Sequence, residues 1–175
     1  MRIELSDYSD VKARARDLAL NIPAGLALIP ANFLDATSRD ELLQNDHTPT
    51  IRSLWRQSGI AETKFEREDD HLGQKAERGF EEWIAPAIFV GVSLWSQNPL
   101  AVTIAINVIS NYLTTLFQGL PFKTVKLEIV VEVNKDGTYY RKVNYSGDPS
   151  GLEKLPPIIR AVSEGKEIEG AENGK

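Results

Sequence analysis

Residues Thr124 to Val133 alternate in polarity, with Val125, Leu127, Ile129, Val131 and Val133 on one side and Lys126, Glu128, Val130 and Glu132 on the other. Successive strand side chains point to opposite faces, so this pattern predicts a strand with one buried and one wet side. Asp136-Gly137 supplies the positive φ that a tight hairpin needs, and Tyr139 to Ser146 returns as the partner strand. Val143 and Tyr145, with Tyr139, match the buried face. Arg141 then falls on that face too and needs a carboxylate or the sheet edge. Gly147-Asp148-Pro149 turns the chain into an amphipathic run of Leu152, Leu155, Ile158, Ile159 and Val162, with Ser150 and Glu153 at capping-box spacing. Pro156-Pro157 interrupts that run, which predicts a short turn and a second helical start at Pro157.

Towards the N-terminus, Arg2 to Leu5 alternates and reads as a short strand. Ser9 offers an N-cap for a helix to about Leu20, with Val11, Ala15, Leu18 and Ala19 on one side. Leu26 to Ile29 is a brief apolar run stopped by Pro30 and is read as a strand. Ser38 with Glu41 has capping-box spacing, and Thr48-Pro49 marks a helix that Gly59 ends, with Ile60 folding back. Ile51, Leu54, Trp55 and Ser58 share one face of that helix, with Trp55 as its anchor on the core. From Glu62 to Glu82 charges dominate, as in a solvated helix or a flexible linker.

Trp83 to Phe122 is different: forty consecutive residues carry no charge. Asn98-Pro99 divides them into two predicted apolar helices, about Ile84 to Trp95 and Leu100 to Leu120. The first is roughly 18 Å long against the roughly 30 Å of a bilayer's hydrocarbon, so it cannot span alone. Thr103, Asn107, Ser110, Asn111, Thr114 and Gln118 step by three and four along the second, drawing an uncharged polar stripe. Such a stripe faces protein, water or a pore rather than lipid. One reading is a long core helix roofing the hairpin, its stripe meeting loops, a partner protein or a symmetry mate. The alternative is a membrane-inserting effector whose helices at 84–120 form a re-entrant or pore-lining hairpin, with Lys123 and Lys126 at the headgroups. The hairpin's apolar face favours the first, because leaving it in water costs about 25 cal/mol per Å². The interaction residues expected on this reading are the six stripe residues with Arg141 and Trp55.

These elements compose an α+β protein: an antiparallel hairpin-based sheet covered on one face by a long uncharged helix pair, with a helical N-terminal part. Its expected divisions are a mixed region at 1–60, a charged linker at 61–82, the helix pair, hairpin and closing helix at 83–163, and a flexible tail at 164–175.

The net charge of −5 opposes binding to nucleic-acid phosphates, and no cysteine is present to make a disulfide, a thiolate zinc site or a nucleophile. All the excess negative charge lies before Trp83, where 11 basic residues face 16 acidic ones; from Lys123 onward each sign occurs nine times. The start, MRIELSDYSD, has no apolar core of a secretory signal, so a cytoplasmic location is expected, with membrane association as the alternative. Glu66, Glu68, Asp69, Asp70 and His71 form a dense acid-plus-histidine cluster, but on a helix His71 points away from the rest, and a solvated segment is the expectation. His47 reads as a surface turn residue. Tyr139, Tyr140, Arg141 and Lys142 juxtapose aromatics and cations as in sheets that stack single-stranded bases, though ordinary strand tyrosines account for them equally. Phosphate-loop, nucleophile-elbow and zinc spacings do not occur. No catalytic residue, metal or cofactor is therefore expected.

An uncharged helix, a strand ending in Asp136-Gly137, a return strand, then a Gly/Pro turn into an amphipathic helix, in that order from Ile84 to Val162, resembles the small effector-associated constant components of bacterial conflict systems. The chain lacks the Arg-rich run at that family's helix end, having only Lys123 and Lys126, residues 1–82 have no counterpart in it, and no functional residue transfers. The resemblance implies a non-catalytic adaptor or regulator of a separate effector in prokaryotic immunity.

Overall fold

A computed structural model describes residues 1–76, 78–79, 81–120 and 122–174. Glu77, Phe80, Pro121 and Lys175, which fall in the expected linker, uncharged block and tail, lie outside the described residues. The chain runs β1 (Arg2–Tyr8), α1 (Val11–Asp17), β2 (Leu26–Leu28), a 3-10 turn at Arg39–Glu41, β3 (Leu43–Asn45), α2 (Thr48–Gln57), β4 (Gly73–Lys75), β5 (Arg78–Gly79), β6 (Glu82–Ile84) and β7 (Ile88–Val90). There follow α3 (Leu94–Gln97), α4 (Ala101–Gly119), β8 (Thr124–Asn134), β9 (Thr138–Gly147), a 3-10 segment at Pro149–Lys154, α5 (Leu155–Ser163) and β10 (Glu172–Asn173). The fold is α+β, with a mostly antiparallel sheet.

The predicted hairpin is the centre of that sheet. β8 and β9 pair over their whole length, from Val125 opposite Gly147 to Asn134 opposite Thr138, and the turn places both Asp136 and Gly137 at positive φ. β1 lies antiparallel to β9, and β10 adds a parallel edge to β1. β8's other side carries β6 beside Val125 and β7 beside Val130, both parallel, with β5 and β2 outside them. Strands from all four expected divisions thus share one sheet.

The first of the two expected apolar helices does not form. Ile84 to Trp95 instead enters the sheet: Pro86 keeps the residues before β7 extended, and Ile88, Phe89 and Val90 are buried on both faces. A parallel strand covered on both sides is a continuous apolar run, which periodicity cannot tell from a buried helix. Only Leu94–Gln97 is helical. The second helix forms nearly as expected and packs Ala101, Val102, Ala105, Ile106, Ile109 and Leu113 over the odd-numbered face of β8, with α2 and α5 beside it.

The opposite face of β8 is wet only in its first half. Lys126 and Glu128 are exposed, but Val130 and Glu132 are buried with Tyr140 beneath α1, Phe33 and Phe65. Glu132 is held there by Lys12 Nζ at 2.9 Å, the Val92 amide at 3.0 Å and the Tyr140 hydroxyl at 3.3 Å. Tyr139, expected inside, is 40% exposed, although Val133 opposite it on β8 is fully buried.

Local signals fared unevenly. Asp10, not Ser9, caps α1 by accepting from the Ala13 amide. Glu41 reaches back chiefly to the amide and hydroxyl of Thr37, with the Ser38 backbone also in range, while the Ser38 side chain makes no cap hydrogen bond. α2 ends as read, with Gly59 at φ 74° and the Ile60 amide returning to the Trp55 carbonyl. Pro156 and Pro157 occupy the first turn of α5, where their missing N–H groups cost no hydrogen bond, and a 3-10 segment that starts just after Asp148 precedes them.

Candidate protein-interaction surface

α4 separates its uncharged residues by role. Asn107, Asn111, Thr114 and Gln118 are exposed and Thr103 half-buried, and exposed Leu100 and Ile104 extend the same outward face at its N-terminal end. Ser110 alone in the stripe turns inward: it is 9% exposed, and its hydroxyl donates to the Pro149 carbonyl at 2.7 Å, tying α4 to the segment after the hairpin. Thr114 donates back to the Ser110 carbonyl within the helix. The stripe is therefore an outward, charge-free ridge with one internal anchor.

The other two expected interaction residues lie inside the fold's own contacts. Trp55 is 1% exposed, and its indole donates to the Ala105 carbonyl at 3.1 Å, docking α2 on α4. Arg141 finds its carboxylate across the strand pair, in Asp7 at 2.6 Å. A further pair had no sign in the sequence: the Arg160 guanidinium, from α5, lies 5.7 Å from the centre of the Trp95 ring in α3. The Trp95 indole N–H is buried without a partner. Tryptophan and arginine are the residues on which protein interfaces most often depend, and a cation over an indole face orders both.

Two members of the acid-plus-histidine segment, Glu66 and Asp70, are held in ion pairs. Arg52 grips Glu62 with two nitrogens, at 2.9 and 3.0 Å, and reaches Glu66 at 2.5 Å; Asp70 accepts from the Arg67 amide and meets Arg39 at 3.2 Å. Among the described residues no group of histidines and acids could hold a metal ion. His47 stacks on Trp83 with ring centres 4.3 Å apart, and burial holds its pKa below the ordinary value while the Asp46 carboxylate opposes that shift. Tyr139 to Lys142 are divided between the two faces of β9, since alternate residues must be, so they form no common platform.

The two-helix hairpin required for a pore has no first arm, and among the described residues no helix is long and apolar enough to cross a membrane. Set against protein-family models, curated proteins and solved structures, the chain matches none of them.

Proposed function

We propose that the protein is a non-catalytic adaptor or regulatory subunit that meets a partner protein through the outward ridge of α4. One observation carries this reading: a 19-residue helix exposes a face with no charge, in a chain where charged residues are 26% of the whole. An ordinary solvated helix face is charged, whereas interface cores are depleted of charge. The helix is about 28 Å long and about 10 Å wide, which gives each side well under the roughly 800 Å² of a standard interface. The contact therefore extends beyond the polar stripe to exposed Leu100 and Ile104, and an uncharged surface, including that of a second copy, is its natural complement. The resemblance to effector-associated constant components suggests a cytoplasmic effector of a bacterial conflict system as that partner.

A photo-crosslinker at Asn111, read against the same probe at exposed Asp40, tests this in cells. The expected result is one discrete adduct from Asn111 that disappears when Asn107 is changed to lysine. Equal labelling from both positions, or none from Asn111, contradicts the reading.

A further inference from the structure

The sheet face turned away from α4 bears a cavity of about 330 Å³, within the range of small-molecule sites. One wall is apolar, made by Ile29, Pro30, Phe33, Leu34, Pro86 and Ala87. The floor is the wet half of the sheet, where even-numbered positions of three neighbouring strands bring Tyr8, Lys126, Glu128 and Lys142 together; Asp35 completes the rim. Leu34, 46% exposed, stands at the mouth.

The polar groups keep bonding capacity that the fold leaves unused. Lys142 and Glu128 stand 3.8 Å apart, beyond hydrogen-bond range, and Lys126 is held by Glu82 at 3.1 Å through one of its three donors. Asp35 has no ion-pair partner, and the Tyr8 hydroxyl no hydrogen bond, among the described residues. Burial, with Glu128 and Asp35 nearby, raises the Tyr8 pKa, so the phenol stays neutral. Asn45, by contrast, is spent: its amide donates to Ile84 and accepts from His47.

Both signs of charge on one side and hydrocarbon on the other restrict what fits. A simple cation would sit against Lys126 and Lys142, and a simple anion against Asp35 and Glu128. A purely apolar molecule would desolvate Tyr8 without giving it a partner. We propose that this cavity binds a zwitterion with an apolar body, of the class of a short apolar peptide, its ammonium towards Asp35, Glu128 and the Tyr8 hydroxyl oxygen and its carboxylate towards Lys126, at the end of the floor away from Tyr8. The site lies across the sheet from α4 and does not rest on the proposed protein contact. An α4 ridge that engages nothing leaves it intact.

Leucyl-leucine, its N-acetyl form and its C-terminal amide, titrated to millimolar concentration into the full chain and followed by amide shifts in two-dimensional NMR, test the proposal. The free dipeptide should move resonances of residues 29–35, 84–87 and 126–128. Blocking either end should weaken binding about tenfold or more, as loss of a charge-assisted contact does. Tyr8→Phe should cost about 5- to 10-fold, the loss of one hydrogen bond. Asp35→Asn, at an exposed rim position that the fold does not need, should weaken the amine end while leaving the spectrum folded. No binding, shifts confined to other residues, equal affinity for all three probes, or affinity that survives Asp35→Asn would each overturn it. Tighter binding of the amide than of the free dipeptide would also do so, because the site would then be one for cations.

Discussion

Residues 83–99 and 100–120 share a composition and part company in structure. Both are free of charge, yet the first stretch supplies β6 and β7 to the sheet, and the second forms α4, with one face on the core and one in solvent. The difference lies in spacing and punctuation. Ile88-Phe89-Val90 sits between Pro86 and Gly91 with no polar residue at helical intervals, whereas Asn107, Asn111, Thr114 and Gln118 recur every three or four positions. Absence of charge marks what is kept from ions, not what is kept from water.

The sharpest break of this comparison is at Phe89. It is fully buried between Phe65, 6.0 Å away, and Tyr140, 6.4 Å away, so Phe89→Ala should cost about 3–5 kcal/mol in urea unfolding. A loss below about 1 kcal/mol would mean that β7 is not the buried strand described. Next in size is Gly91→Ala. A Cβ there would lie 2.2 Å from the Ala24 carbonyl oxygen, so a loss of about 1–3 kcal/mol is expected by the same measurement.

Within α4, Ser110→Ala removes the bond to the Pro149 carbonyl and should cost about 1 kcal/mol, while Asn111→Lys should stay within about 0.5 kcal/mol of the parent. Equal costs at the two positions would erase the distinction between anchor and ridge.

A smaller effect comes from His47 beside Trp83. Its folded pKa lies below the ordinary 6.5, so the unfolded chain takes up the proton first. That contribution is whole above about pH 6.5 and declines as pH falls through and below it. Between about pH 7.5 and about pH 5.5 the melting temperature should therefore fall more steeply in the parent than in His47→Gln. Parallel slopes would show that His47 is not held neutral.

What sequence disclosed follows the same division between local and distant causes. The β8–β9 hairpin, the end of α2 and the polar stripe were legible because alternation, Gly59 and three-four spacing are written within a few residues. β7 was not, since a strand buried on both faces has no period to read. The burial of Val130 and Glu132 was also hidden, because its cause is Lys12, Phe33 and Phe65, which lie 65 or more positions away in the chain. Distance concealed the fate of the acidic segment too: Arg39 and Arg52 take up Asp70, Glu62 and Glu66. The cavity floor was visible only as the polar half of a strand, and its wall comes from loops that no pattern joins to it.

The account stands on the outward face of α4 being dispensable for folding and needed for association. Native mass spectrometry of the chain's assembly, isolated by gentle lysis from its own cells, tests this directly when the parent is compared with Asn107→Lys/Asn111→Lys. The account predicts a melting temperature within about 2 °C of the parent and an assembly that falls apart to the single chain. An unfolded variant, or one that keeps its full assembly, would contradict it.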